Sequence, residues 1–313
     1  MKVLIIDEVH EKLTKGLLQL GIEVDYFPEI SPHAVMQVIG DYNGLVVRTK
    51  MDINQHVLSL AGKLKFVARA GSGLDNIDTS FCNKMGIGYF NAGEANADAV
   101  GEHTIAMLLS LFTKLQKANN EVKDKIWDRK GNIGWELKGK TIGIIGFGNT
   151  GKAVAKKLSG FEVNVLAYDK YLINYGNQFA TQASLEQIQA TADIISFHVP
   201  LTDETCWMVN ENWILQNKKP IVLLNLSRGK VVKLNDAIKA LQNNKLKAAA
   251  FDVLEDENVN LWDNRQNETF EKLSKMENVI LSPHIAGWTI ESFEKISLVL
   301  LQKIKELTFS LNT

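Results

Sequence analysis

Residues 141–158 read TIGIIGFGNTGKAVAKKL, an apolar, partly β-branched run that meets three glycines and passes at once into a helical pattern. A chain with this order of residues must leave a buried strand through a tight turn and enter a helix with no linker. Gly146, Gly148 and Gly151 stand in G-x-G-x-x-G spacing. The first permits the turn, the second leaves the backbone open to close approach, and the third lets strand and helix pack tightly. The helix start, with Asn149 and Thr150, then offers unpaired N–H groups and a partial positive charge to phosphates. The next apolar strand, NVLAYD, ends in Asp169, 18 residues past Gly151. That is near the spacing at which an acid meets the adenosine ribose of a dinucleotide. A carboxylate there repels a 2′-phosphate, so NAD is expected rather than NADP, with the adjacent Lys170 working against that preference. The plainer alternative is a glycine-rich turn followed by a surface Asp.

The same alternation of short β-branched runs and amphipathic segments extends along the chain and means α/β architecture with parallel sheets. With 313 residues, 45% hydrophobic and 23% charged, the chain supports two ordinary cores. The first domain is expected to hold strands Lys2–Asp7, Ile22–Phe27, Gly44–Arg48, Lys65–Ala70 and Gly88–Phe90. Its helices are expected from His10, after Ser31-Pro32 and over Gln55–Leu60. Val100–Leu115 is apolar nearly all round and is expected to be a buried helix leading into the second domain, with His103 a hydrogen-bonded core residue. The second domain is expected to hold strands Thr141–Gly146, Asn164–Tyr168, Ile194–Val199, Ile221–Leu226, Lys247–Val253 and Asn278–Ser282. Six strands with helical connections make a complete doubly wound sheet. Ile290–Phe309 is helical by pattern and is expected to pack back on the first domain. The expected division is 1–98 with 286–313, and 99–285, with the ligand in the cleft between.

A formal net charge of −1 and the absence of charge runs argue against nucleic acid or an anionic membrane as partner. No apolar stretch reaches the roughly 18 residues of a membrane span. The opening MKVLIIDEVH, broken by Asp7 and Glu8, is too short for a signal-peptide core and reads as a strand, which makes cytoplasm the default. Cys82 and Cys206 stand in no C-x-x-C pair, so two reduced thiols and no metal are expected.

Three further apolar strands end in polar residues: IVLLNLSRG with Arg228, KAAAFDVLEDEN with Asp252 and Glu257, and NVILSPHIAG with His284. In a parallel sheet these ends share an edge with the glycine turn, so the groups are expected to converge. Singly, each also has a plain structural reading. Arg228 would be a surface cation, Glu257 part of a solvated acidic run, and His284 a capped turn.

Together these segments resemble the D-isomer-specific 2-hydroxyacid dehydrogenase family, and within it the phosphoglycerate dehydrogenase branch. The resemblance rests on ARAGSGLDNID, NADAVGEHTIAMLL, ELKGKTIGIIGFGNTG, FHVPLTDET, NLSRGKVV and SPHIAGWT and covers nearly the whole chain. It implies a Rossmann NAD-binding domain inserted into a flavodoxin-like substrate domain, and hydride exchange between a D-2-hydroxy acid and its 2-oxo acid. It further implies that Arg228 grips the substrate carboxylate, His284 is the acid/base, Glu257 partners His284, and Asp252 meets the nicotinamide amide. His198, Val199, Pro200, Thr202, Leu226, Ser227 and Gly287 complete the implied cofactor contacts, His198 shaping the adenine pocket. The chemistry suits these types. An imidazole exchanges protons near neutral pH, a carboxylate beside it fixes its orientation, and a guanidinium matches a carboxylate in two-pronged geometry. His10, His33 and His56 are expected at the surface.

The resemblance also places the substrate carboxylate on backbone N–H groups of the loop Ala70–Leu74, with Gly71, Ser72 and Gly73. Arg48 and Arg69 are then expected to meet a distal phosphate, with Lys50 as a third candidate; surface salt bridges are the alternative. Several features depart from the family pattern. Asn258 stands where Pro is common, the loop Asn258–Lys275 with Trp262 looks long, TKMD follows Arg48, and Trp288 replaces a small residue after His284. No regulatory domain follows residue 313, so feedback control is not expected. Three activities stay open: oxidation of 3-phosphoglycerate toward serine, reduction of hydroxypyruvate, glyoxylate or another 2-oxo acid, and a non-catalytic NAD-sensing corepressor. Retention of Arg228, Glu257 and His284 stands against the last. A homodimer is expected, with Ile126, Trp127, Ile133 and Trp135 at its interface.

Overall fold

The computed structural model describes residues 1–312, with side chains through Phe309. The chain divides into two compact units, one of Met1–Asn96 with the stretch from Trp288 onward, the other of Ala97–Gly287. The first contains β1 (Lys2–Ile5), α1 (Glu11–Gln19), β2 (Glu23–Tyr26), α2 (Pro32–Val38), β3 (Gly44–Val47), α3 (Gln55–Leu60), β4 (Phe66–Arg69), α4 (Thr79–Met85) and β5 (Gly88–Asn91). Its five strands are parallel in the order β2-β1-β3-β4-β5, the flavodoxin-like arrangement that switches direction between β1 and β3. Alternate residues of each strand feed opposite layers. Leu4 and Ile6 pack with Val35, Ile39 and Val57, whereas Val3 and Ile5 pack with Leu13, Leu17 and, from the C-terminal helix Ile290–Asn312, Ile296, Leu300 and Ile304.

The second unit begins with α5 (Ala97–Thr113) and α6 (Leu115–Lys123). It continues through β6 (Thr141–Ile145), α7 (Asn149–Lys157), β7 (Asn164–Tyr168), β8 (Thr181–Gln182), α8 (Leu185–Thr191) and β9 (Ile194–Phe197). It ends with α9 (Glu211–Leu215), β10 (Ile221–Asn225), α10 (Leu234–Gln242), β11 (Leu246–Phe251), α11 (Asn264–Ser274) and β12 (Val279–Leu281). The parallel order β12-β11-β10-β9-β6-β7-β8 is the Rossmann arrangement with one strand added, and it switches between β6 and β9. Central strands such as β10 are buried along their whole length, as strands covered by helices on both faces must be.

The structure corrects several sequence-based expectations. The second sheet has seven strands, because the exposed two-residue β8 adds an edge that carries no hydrophobic run. The helix expected over Val100–Leu115 starts at Ala97 and stops at Lys114, whose left-handed backbone (φ 53°) breaks it from α6. The long loop Asn258–Lys275 contains α11, nucleated by a capping box in which Asp263 and Gln266 bond each other's backbone. Trp262 stacks there on Phe270, ring centroids 5.1 Å apart. Most strands also end one or more residues before the sequence places their ends. Asp7, Arg48, Gly146, Val199, Leu226 and Asp252 leave the ladder and become loop residues at the carboxyl edge.

Candidate active site

In the second unit, β6 delivers the glycine turn to the switch point of its sheet. Gly146 has φ 91°, and a Cβ there would lie 2.4 Å from the His198 carbonyl oxygen, so only glycine fits between β6 and the end of β9. A Cβ on Gly151 would lie 2.1 Å from the Gly146 carbonyl oxygen, so its absence sets how closely α7 approaches the strand. Gly148 differs: a Cβ there would meet nothing within 4 Å. Gly148 caps α7 without a side-chain hydrogen bond, which leaves the first-turn amides at Asn149 and Thr150 facing open space. This is a cradle for phosphate, and it fits the pyrophosphate of a dinucleotide.

Asp169, just past β7, bonds the turn directly. One carboxylate oxygen accepts the Phe147 N–H at 2.8 Å, and the other accepts Tyr171 N–H and Leu172 N–H at 3.0 and 3.1 Å. Lys170 is drawn away into an ion pair with Glu204 at 2.5 Å. His198 is buried, its Nε2 bonded to Ser196 Oγ at 2.8 Å and its Nδ1 without a partner among the described residues. Val199 packs near Gly146, and Thr202 closes a turn after Pro200 through its amide to Thr205 Oγ1 at 2.8 Å.

At the ends of β10, β11 and β12 a second cluster forms. His284 Nδ1 lies 2.7 Å from Glu257 Oε2, both side chains about half exposed. The His284 backbone is left-handed (φ 55°), an uncommon state for a non-glycine residue. Buried Asp252 pins it. The Asp252 carbonyl accepts His284 N–H at 2.7 Å, and its carboxylate accepts Ile285 N–H and Ala286 N–H, each at 2.9 Å, and Ser282 Oγ–H at 2.6 Å. Gly287 ends this loop. Arg228 follows Leu226 and Ser227, both buried, and one of its guanidinium N–H groups donates to the Ser227 carbonyl at 2.7 Å. A Cβ on Gly229 would sit 1.7 Å from the Leu254 carbonyl oxygen, so the β10 and β11 loops touch there backbone to backbone.

In the first unit, Asp7 and Arg48 leave β1 and β3 at the switch point of that sheet. The Asp7 carboxylate accepts the Arg48 amide at 2.6 Å. The Arg48 guanidinium lies over the Trp288 ring, 4.1 Å from its centroid, and 5.9 Å from that of Phe293. Arg69 Nε donates to the Arg48 carbonyl at 3.1 Å, and Lys50 Nζ is occupied by the Pro28 carbonyl at 2.6 Å. In the glycine loop the Gly71 N–H turns back onto the Arg69 carbonyl at 2.8 Å. The Ser72 hydroxyl of the same loop is held by Asn96 Oδ1 at 2.6 Å.

Residues 105–286 match the family model of the NAD-binding domain of D-isomer specific 2-hydroxyacid dehydrogenases. The chain is 32% identical over 306 residues to a hydroxypyruvate reductase of Thermotoga maritima, covering 96% of this chain and 97% of that protein. The chain belongs to the D-isomer-specific 2-hydroxyacid dehydrogenase family. It is also 32% identical over 309 residues to a D-3-phosphoglycerate dehydrogenase of Archaeoglobus fulgidus, covering 97% of this chain and 56% of that protein. It thus spans about half the length of such relatives. A crystal structure of D-lactate dehydrogenase from Aquifex aeolicus, complexed with NAD and lactic acid, matches with a TM-score of 0.83 at 27% identity, over 99% of this chain and 96% of that one. The family is one of oxidoreductases, and NAD is the cofactor of the matched domain.

Within this dehydrogenase fold some supporting residues escape sequence reasoning. Buried Asn225 bonds Ser227 through its side-chain oxygen and the Arg228 carbonyl through its amide at 2.9 Å, and so shapes the loop that carries Arg228. Its signal was a polar residue closing an otherwise apolar strand, IVLLN. His103 is only partly buried rather than a core residue. Its Nε2 lies 3.1 Å from Ser282 Oγ and 3.7 Å from Asp252, next to the residue that pins His284. Nothing in the pattern of α5 marks that placement, because it depends on β12. Among the described residues, no helix is long and apolar enough to cross a membrane.

Proposed function

We propose that this chain interconverts a D-2-hydroxy acid and its 2-oxo acid with NAD, and that its substrate pair is 3-phosphoglycerate and 3-phosphohydroxypyruvate, on the way to serine. The observation that carries the reaction is the His284–Glu257 pair on a backbone pinned by Asp252, with Arg228 after β10 on the same carboxyl edge of the sheet. Bound NAD supplies the hydride acceptor, or the donor in the reverse direction. Glu257 accepts the Nδ1–H of His284 and thereby fixes the ring, leaving Nε2 to take the proton from the C2 hydroxyl or return it to the carbonyl oxygen. The Arg228 guanidinium takes the C1 carboxylate in two-pronged geometry and polarises the 2-oxo group. Asn149, Thr150 and the glycine turn hold the pyrophosphate, and Asp169 holds the adenosine ribose. The pairing of Lys170 with Glu204 supports NAD over NADP, because the cation adjacent to Asp169 is already matched and does not wait to welcome a 2′-phosphate.

The phosphorylated substrate is favoured by Arg48, whose guanidinium donors have no partner among the described residues, together with the amides of Ser72 and Gly73 and the neighbouring Arg69. A second reading, reduction of unphosphorylated hydroxypyruvate, is favoured by the relative in Thermotoga maritima, which matches end to end. Loss of NADH absorbance with 3-phosphohydroxypyruvate, hydroxypyruvate, glyoxylate and 2-oxoglutarate side by side decides between them. A kcat/KM at least about tenfold higher for the phosphorylated acid, worth roughly 1.4 kcal/mol, supports the first reading. Equal or better use of hydroxypyruvate overturns it in favour of the second. The proposed assembly is a homodimer built on exposed Trp127 (79%), Ile133 (69%), Ile126 and Trp135. A monomer by light scattering at micromolar concentration would remove that part.

A further inference from the structure

Arg48 is held in an unusual way. Its backbone N–H is bonded to Asp7, but no hydrogen bond or ion pair reaches its guanidinium among the described residues. Instead the planar group is laid against two aromatic rings, Trp288 at 4.1 Å and Phe293 at 5.9 Å. The platform is itself fixed. Thr289 and Ser292 cap the start of the C-terminal helix reciprocally, Thr289 Oγ1 accepting Ser292 N–H and Ser292 Oγ accepting Thr289 N–H, each at 3.0 Å. Phe293 N–H then bonds the Thr289 carbonyl at 3.1 Å, and its ring meets His10 edge-on. Trp288 itself is 62% exposed and serves little as core.

A guanidinium stacked on a ring keeps its N–H edge free while its face is covered, and the cation–π attraction restricts its rotamers before any ligand arrives. Burial also draws the Arg48 pKa below its ordinary value, a cost that an incoming anion relieves. The group stands where β1 and β3 diverge, the place in an open parallel sheet where ligands collect. A cation at such a place with unmatched donors and prepaid orientation is built to receive an anion.

We propose that Trp288 is a positioning residue that, with Phe293, pre-orients Arg48 for the second anionic group of the substrate, and so sets a preference for dianionic over monoanionic 2-oxo acids. This rests on the reading of Arg48 given above and assigns to Trp288 a role of its own. The test compares kcat/KM for a phosphorylated 2-oxo acid and its unphosphorylated counterpart in wild type and in Trp288→Leu, Trp288→Phe and Arg48→Ala. Trp288→Leu keeps bulk but loses the π face. It is expected to raise KM for the phosphorylated acid about fivefold, the scale of a cation–π contact that is partly exposed, with a smaller effect on kcat and on the unphosphorylated acid. Trp288→Phe is expected to restore KM to within about threefold, because a weaker π face remains. Inorganic phosphate, which needs no turnover, is expected to raise Tm in wild type and Trp288→Phe and to raise it less in Trp288→Leu and Arg48→Ala. If Arg48→Ala removes the preference while Trp288→Leu behaves as wild type in both assays, the platform is overturned and the reading of Arg48 stands. If Arg48→Ala leaves preference and phosphate response unchanged, both fall. If wild type reduces no 2-oxo acid, the proposed reaction fails, and the phosphate response alone then sustains or overturns the platform.

Discussion

Two histidines occupy matching places in the second sheet, each just beyond the carboxyl end of a parallel strand, and their surroundings set them apart. His198, after β9, is buried, its ring bonds Ser196 Oγ, and it is held down at about 4 by that burial. His284, after β12, is half exposed, sits on a left-handed backbone and has a carboxylate on Nδ1. Topology brings both to the carboxyl edge of the sheet. The buried ring stays neutral across the working range. The exposed ring has an oriented second nitrogen and a route for its proton. A histidine at a strand end is thus equipped for proton transfer by the carboxylate and solvent around it, not by the strand that delivers it.

The sharpest way to break this contrast is His284→Ala. It is expected to lower kcat at least about a thousandfold in both directions, the scale of losing a general acid/base, while NADH binding by titration stays intact. Retention of more than about a tenth of the activity would move proton transfer away from His284 and leave the two histidines undistinguished.

The other side of the contrast is a matter of stability. The His198 imidazole falls from an ordinary 6.5 to about 4 in the folded chain. Above 6.5 both folded and unfolded states carry it neutral. Below that the unfolded chain binds a proton that the folded chain refuses, so stability falls with pH until about 4 and changes no further from this group. The loss amounts to about 3 kcal/mol over that window. Urea midpoints measured through the window should show the slope, and His198→Asn should lack its share of it. An unchanged slope in that variant would mean that other groups govern acid unfolding.

The same contrast explains what the sequence makes legible. Strand–glycine–helix order, apolar periodicity and polar residues at strand ends are local signals, and they point to Gly146, Asp169, Arg228 and His284 directly. What stays hidden depends on contacts between distant segments. His103 looks like core because its helix is apolar all round, yet it meets Ser282, 179 residues on. Asp252 reads as a strand-end acid, but its hold on the His284 loop is visible only when β11 and β12 lie side by side. The resemblance makes Gly71 an anion donor, and only the turn geometry shows its amide facing the Arg69 carbonyl. Trp288 reads as an intrusion until Arg48 is seen lying on it.

Asp252→Asn probes how firmly the histidine proposed to move the proton is held. The amide can accept from only one side, so one of the backbone N–H groups at Ile285 and Ala286 faces an NH2 group inside a buried site. A loss of about 2 kcal/mol in stability is expected, from one buried donor left unmatched. The fall in kcat should exceed any change in KM. A variant with normal kcat would show that His284 keeps its strained backbone without Asp252.

The smallest expected effect concerns Asp169, and it needs a ratio to be read. Its carboxylate bonds the Phe147 amide of the glycine turn as well as two amides of its own loop, so Asp169→Ala perturbs the turn whatever the acid does to a ligand. A purely local role weakens NAD and NADP alike. A role in meeting the ribose hydroxyls weakens NAD selectively, by about tenfold or 1.4 kcal/mol, and lifts the repulsion that a 2′-phosphate would feel. The affinities of both cofactors, measured on the same preparation, should therefore converge in the variant. A parallel fall would reduce Asp169 to a turn-former and place the choice of NAD elsewhere. Here Asp252 supplies the contrast: its carboxylate accepts Ser282, Ile285 and Ala286 and is buried from solvent, whereas the Asp169 side chain is partly exposed.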